Sequence, residues 1–354
     1  MNKLSERIGN KKVYLYGAGN LGNRLCSFLK RNDVQIECFL DKNKKASLIE
    51  GIEVKCLSSI ELDDSDTLVI VSIFNRDVNY IEVKQQLIAA GFDDVISFIE
   101  FYPYCSHEFG DYYWLSGNKE YLFDENKIGL VHDSLSDSLS REIFSAIVKT
   151  RKTDSYEQLP YPYPMAEQYF SKDVPLRNYR KFIDCGAFDG DTLDALEKQK
   201  TPVETIYAFE PDQDNFNNLS QKARGYGKQV ILFPCGVHSN TNLLRFNSGA
   251  GEGSMISDEG SEIIQCVALD DVLINPISGT TLLKMDVEGA ELDALRGAEN
   301  LIKNNDVDLA ICLYHKPCDI IEIPRLISTF GKYEFCIRLY AHYGMDLVLY
   351  AVKQ

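Results

Sequence analysis

The chain has 354 residues, 45% of them hydrophobic, and 37 Lys and Arg against 53 Asp and Glu, a formal net charge of −16. That length allows two packed cores at roughly 100–200 residues per domain, and the acidic excess argues against nucleic acid or an anionic lipid surface as partner. No run of about 20 apolar residues is present to span a bilayer, residues 1–10 are too polar for a signal peptide, and the expected location is the cytoplasm. The ten cysteines form no Cys-x-x-Cys pair, so no thiolate zinc site is expected and the thiols are read as free.

In chain order, an apolar strand at residues 13–16 runs into Gly17-Ala18-Gly19-Asn20-Leu21-Gly22 and then a helical pattern through Leu25, Phe28 and Leu29. A second strand, 35–40, ends at Asp41, close to the spacing of about 20 residues at which an acid meets a ribose in dinucleotide folds. Strands at 67–72 and 94–98 with a helix at 80–90 between them complete an alternating pattern, which predicts a parallel, doubly wound sheet over residues 1–103. Residues 104–180 are rich in Tyr, Asp, Ser and Pro and read as a helical linker or cover. Its one amphipathic helix has Leu139, Ile143, Ile147 and Val148 on a single face. The run Leu159-Pro160-Tyr161-Pro162-Tyr163-Pro164 is incompatible with regular helix or central strand.

A second strand–turn–helix unit opens the domain at 181–354. Strand 182–185 contains Asp184 and is followed by the turn Gly186-Ala187-Phe188-Asp189-Gly190 and a helix from Asp191-Thr192. The next strand, 205–209, ends at Glu210-Pro211. Further strands are expected at 230–234, 281–285, 309–314 and near 335 and 348, with a helix at 292–303. A Gly-rich turn lets a ligand approach the backbone, and the helix behind it offers unpaired N–H groups. Glu210 is placed to accept hydrogen bonds from ribose hydroxyls. These features fit either NAD or S-adenosylmethionine. The acids Asp184, Asp189 and Asp191 repel a pyrophosphate and suit a cationic sulfonium and ammonium.

The segments 182–192, Phe209-Glu210-Pro211 and Lys284-Met285-Asp286-Val287-Glu288-Gly289-Ala290-Glu291 resemble the motifs of FkbM-type methyltransferases over residues 180–354. The resemblance implies an α/β class I methyltransferase fold and S-adenosylmethionine-dependent O-methylation of a hydroxyl on a sugar, glycan or natural product. Cofactor contacts would fall to Asp184, Gly186, Phe188, Gly190, Asp191, Thr192, Glu210 and Pro211. A hydroxyl becomes a useful nucleophile when its proton is accepted. The candidates for that role are Asp286, Glu288 and His315, with His342 a weaker fourth. Glu288 and Glu291 have a bland alternative, charge balance at a helix start, and a carboxylate trio is also a possible divalent-metal set, although no spacing demands one and no metal is expected.

The first domain resembles small Rossmann-like domains of sugar-modifying enzymes in surface-polysaccharide pathways, which implies a nucleotide or nucleotide-sugar pocket at Gly17, Gly19, Asn20, Leu21, Gly22 and Asp41. The alternative is a degenerate site used for packing or for a homo-oligomer interface. Two further readings stay open: an NAD-dependent oxidoreductase acting through the first domain, and a non-catalytic nucleotide-binding protein.

Overall fold

The computed structural model describes residues 3–42, 47–63, 66–110, 112–116, 119–156, 159–160, 162–199, 202–247, 255–256, 260–273 and 279–354. Tyr161 of the Pro-rich run lies outside them. The chain divides into two compact units. One comprises Met1–Gly117, Ala146–Tyr161 and Ala341–Met345; the other Asn118–Ser145, Pro162–Tyr340 and Asp346–Gln354. The stretch 104–180 is thus shared between them.

In the first unit, β1 (Lys12–Tyr16), β2 (Ile36–Leu40), β3 (Leu48–Ile49), β4 (Ile52–Lys55), β5 (Thr67–Val71) and β6 (Asp94–Ser97) form a sheet of order β3-β4-β2-β1-β5-β6. All pairings are parallel except β3 with β4. Helices α1 (Lys3–Ile8), α2 (Asn20–Arg31), α3 (Tyr80–Ala89) and α4 (Phe98–Phe109) connect or flank the strands. Strand β5 is buried along its whole length, as a parallel strand covered on both faces must be. The strand expected to reach residue 98 stops at Ser97. The Ser97 hydroxyl accepts the Glu100 N–H while the Glu100 carboxylate accepts the Ser97 N–H, a reciprocal cap that starts α4 there.

Helix α5 (Glu125–Ser134) and then α6 (Ser138–Thr153), the expected amphipathic helix, follow; Ile143, Ile147 and Val148 are buried in it and Leu139 is half-buried. The second unit continues with β7 (Lys181–Cys185), α7 (Asp191–Gln199), β8 (Thr205–Phe209), α8 (Gln213–Arg224) and β9 (Gln229–Phe233). A small sheet unforeseen from the pattern comes next, built from β10 (Gly236–Val237), β11 (Asn242–Asn247), β12 (Met255–Ile256) and β13 (Glu262–Val267). After α9 (Leu269–Val272) come β14 (Thr281–Met285), α10 (Glu291–Arg296), α11 (Glu299–Asn304), β15 (Val307–Cys312), α12 (Asp319–Ser328), β16 (Tyr333–Leu339) and β17 (Leu347–Lys353).

The main sheet has the order β16-β17-β15-β14-β7-β8-β9, parallel except at β17 and β16. The chain winds from β7 outward to β9, then returns to β14 on the other side of β7. This reversal opens a crevice at the carboxyl ends of β7 and β14, where such folds bind ligands. Two expectations are corrected. The helix expected at 292–303 is two helices, because the chain turns at Gly297, where a Cβ would lie 2.1 Å from the His238 carbonyl oxygen. The strand expected at 309–314 runs two residues earlier, which leaves Tyr314 and His315 in the loop beyond its end.

Candidate functional site

Two loops meet backbone to backbone at the crevice. Gly186 has φ 78°, and a Cβ there would lie 1.9 Å from the Asp286 carbonyl oxygen, so only glycine allows the approach. The Asp286 N–H donates to the Cys185 carbonyl (3.1 Å). Beneath them Lys284 and Asp184 are direct partners in the β14–β7 register. Lys284 Nζ lies 3.0 Å from Asp184 Oδ1 and donates to the Gly186 carbonyl at 2.5 Å. Both side chains are buried. Burial lifts Asp184 to about 6, while Asp184 and its acidic neighbours keep Lys284 protonated. The lysine neutralises Asp184 and pins the turn, so Asp184 acts from below it.

The turn then passes through Phe188 (φ 46°) and Gly190 (φ 88°) into α7. Asp191 is exposed and accepts the Thr192 N–H (2.8 Å); Thr192 is buried. Asp189 faces Lys222 (3.6 Å). Glu210 links the turn to β8. Its Oε2 accepts the Phe188 N–H and its Oε1 the Asp212 N–H, both at 2.9 Å. Pro211 bridges β8 to Asp212, the N-cap of α8. Glu210 is 5% exposed, and burial raises its pKa against the pull of the two amides. Each carboxylate oxygen has a second lone pair for a ribose hydroxyl. A buried acid on a glycine turn, with the acids Asp189 and Asp191 beside it, suits a nucleoside carrying positive charge better than a pyrophosphate. The residues present therefore fit S-adenosylmethionine.

At the ends of β14 and β15 lies a second group of polar side chains. Glu288 has φ 52° and Gly289 φ 93°, a tight turn that returns Glu291, the first residue of α10, to the loop. Glu291 is fully buried; its Oε1 accepts the Val287 N–H (2.9 Å) and lies 2.8 Å from His315 Nδ1. His315 Nε2 lies 3.4 Å from both Asp286 Oδ1 and Glu288 Oε2. Burial alone would lower the His315 pKa, but Glu291, Glu288 and Asp286 together outweigh it and lift it to about 10. Asp286 also accepts hydrogen bonds from the Tyr169 hydroxyl (2.8 Å, to Oδ2) and the Tyr314 hydroxyl (3.2 Å, to Oδ1). Tyr169 comes from the Pro-rich stretch ahead of β7 and has φ 65°.

The expected residues Asp286, Glu288 and His315 thus come together, and Glu291 joins them as the partner of His315. His342 belongs to the first unit, where its Nδ1 faces the Tyr156 hydroxyl (3.1 Å). Sequence reading gave no role to Lys284, which it quoted only as part of a motif, or to Tyr314 and Tyr169. A lysine inside the apolar strand Thr-Leu-Leu-Lys-Met signals a buried partner; Tyr169 carries no comparable local signal.

In the first unit, Asp41 Oδ2 accepts the Ala18 N–H at 2.8 Å, the counterpart of the Glu210–Phe188 bond. A Cβ on Gly22 would lie 2.1 Å from the Gly17 carbonyl oxygen, so Gly22 seats α2 tightly against the turn. A Cβ on Gly19 would meet no atom of the described residues within 4 Å. Gly19 is the N-cap of α2, with Asn20 and Leu21 in its first turn.

Two family models match: the methyltransferase FkbM domain at residues 184–339 and the C2185-like N-terminal domain at residues 9–95. The hexuronic acid methyltransferase AglP of Haloferax volcanii is 28% identical over 127 residues, 35% of this chain and 52% of that protein. The chain therefore spans about half the length of that relative. The methyltransferase FkbM crystal structure from Methylobacillus flagellatus superposes with TM-score 0.76 at 20% identity, covering 99% of this chain and 92% of that one. The α/β fold is thus shared along the whole chain, and residues 184–339 match the model of the FkbM methyltransferase domain.

Proposed function

We propose that the protein transfers a methyl group from S-adenosylmethionine to a hydroxyl of a sugar or glycan. The observation that carries this reading is the placement of two complementary sites at one switch point: the Glu210-braced glycine turn, and the acid–histidine cluster at the ends of β14 and β15. The FkbM family match and the likeness to a hexuronic acid methyltransferase support the same class of acceptor.

When bound, S-adenosylmethionine supplies a methyl group on a sulfonium, ready for in-line attack. Glu210 would hold the ribose hydroxyls, with Pro211 fixing the strand end. Gly186, Phe188, Gly190, Asp191 and Thr192 would present the turn to the methionine part, held from beneath by Asp184 and Lys284. Glu288 is the best-placed proton acceptor of the cluster. Its side chain is 24% exposed, whereas both Asp286 oxygens already receive a tyrosine hydroxyl. Asp286 and His315 would orient the acceptor hydroxyl beside it. Positioning of donor and acceptor would supply much of the rate.

The first unit would hold a nucleotide or nucleotide sugar, an assignment supported by the open approach to Gly19 and by Asp41 at the end of β2. An NAD-dependent oxidoreductase acting through that unit is the rival reading, and no second observation favours it. The test is methyl transfer from labelled S-adenosylmethionine to a panel of neutral sugars, uronic acids and nucleotide sugars. Asp286→Asn, Glu288→Gln and His315→Ala should be compared in turnover and thermal unfolding. A general base is worth about 10²–10⁴ in turnover, so Glu288→Gln should lose that much with little change in melting temperature. Near-wild-type turnover in all three variants would remove the cluster from the mechanism.

A further inference from the structure

The cluster around His315 holds more acid than an acceptor hydroxyl requires. Asp286, Glu291 and His315 each bring one donor atom within 4.8 Å of the other two. Glu288 Oε2 stands 3.4 Å from His315 Nε2. With metal–ligand bonds of about 2.1 Å, donor atoms around one ion lie roughly 3.0–4.2 Å apart. The three groups are therefore within a small side-chain adjustment of coordination distance.

A second observation is independent of that spacing. Glu291 is wholly buried, and its Oε2 meets no hydrogen-bond donor among the described residues. A buried carboxylate oxygen left without a donor is costly, and a cation beside it removes the cost.

We propose that Asp286, Glu291 and His315, with Glu288 in reach, form a binding site for a divalent first-row cation. One imidazole among carboxylates suits manganese or zinc better than calcium, which takes oxygen ligands almost alone. This inference goes beyond the methyl-transfer reading, and the site could exist without that activity.

The test uses the full-length protein, stripped with chelator and titrated with Mn²⁺ alone, then with Zn²⁺ and Mg²⁺ in separate runs. Calorimetry and the Mn²⁺ EPR signal should report one site per chain, with Mg²⁺ weaker than Mn²⁺. Pulsed EPR on the wild-type complex should detect a coupled imidazole nitrogen. His315→Ala and Glu291→Gln, each checked for folding by circular dichroism, should weaken Mn²⁺ binding at least tenfold. No binding of any of the three ions at millimolar concentration would overturn the proposal. So would Mn²⁺ binding that lacks the nitrogen coupling, or binding that folded variants leave unchanged. The two ideas separate cleanly. Metal binding without methyl transfer to any acceptor would sink the enzymatic reading alone, and full methyl transfer by protein that binds none of these ions would sink the cation site alone.

Discussion

Glu210 offers the sharpest test of the donor site, because its carboxylate is committed on one side and available on the other. Glu210→Ala removes the acceptor of two backbone N–H groups, those of Phe188 and Asp212. Each bond is charge-assisted, and leaving a donor unsatisfied costs about 1–3 kcal/mol, so the alanine variant should lose about 2–6 kcal/mol of stability. That loss alone would confuse a binding measurement. Glu210→Gln keeps one acceptor oxygen and the side-chain volume, and should stay folded at room temperature. It presents an amide where the ribose requires a carboxylate, and loss of a charged hydrogen-bond partner is worth about 1.5–3 kcal/mol. S-adenosylmethionine affinity measured by calorimetry should then fall roughly 10- to 150-fold. The wild-type protein adds a pH signature. Burial raises the Glu210 pKa above its ordinary value of 4.5, so donor affinity should begin to fall at a higher pH than an exposed glutamate would dictate, and this limb should vanish in the glutamine variant. A folded Glu210→Gln protein with wild-type affinity and an unchanged acid limb would refute the assignment of the ribose to this residue.

Three other outcomes follow from the packing. Gly186→Ala places a Cβ 1.9 Å from the Asp286 carbonyl at a positive φ and should lower the melting temperature by many degrees, whereas Gly19→Ala meets open space and should leave it nearly unchanged; equal effects in thermal scans would contradict the two-loop contact. Lys284→Met strands Asp184 in the core and should cost about 3–5 kcal/mol, and a denaturant titration should show Asp184→Asn restoring most of it in the double variant. In the first unit, the Arg7 and Lys11 side chains hold Asp94 at about 2, below its ordinary 3.8. Its contribution is present above pH 3.8 and is lost as pH falls through 2, and allowing for solvent screening it amounts to about 1 kcal/mol. Acid titration of unfolding should show a flatter limb for Asp94→Asn, and an unchanged limb would count against the ion pair.

Periodicity and turn chemistry, which are local, were enough to place both strand–glycine turn–helix units and nearly every parallel strand. Apolar runs bounded by Gly, Asp or Pro specify a buried strand whatever surrounds them. The acids at strand ends, Asp41 and Glu210, were legible for the same reason, since the end of one strand lies beside the turn after its neighbour. Asp286, Glu288 and His315 were legible as strand-end polar groups, though nothing in their spacing said that they would meet. Other features depended on residues far apart in the chain. The break at Gly297 arises because His238, from a distant segment, occupies the space a continuous helix would need. Glu291 reads as a helix-start acid until His315, brought over by the pairing of β14 with β15, lies against it. Tyr169 donates to Asp286 only because the Pro-rich stretch ahead of β7 folds back to the carboxyl ends of the strands. Burial and charge pairing of this kind are properties of the folded chain, and tertiary structure alone turned a row of strand-end acids into an enclosed site with a histidine at its centre.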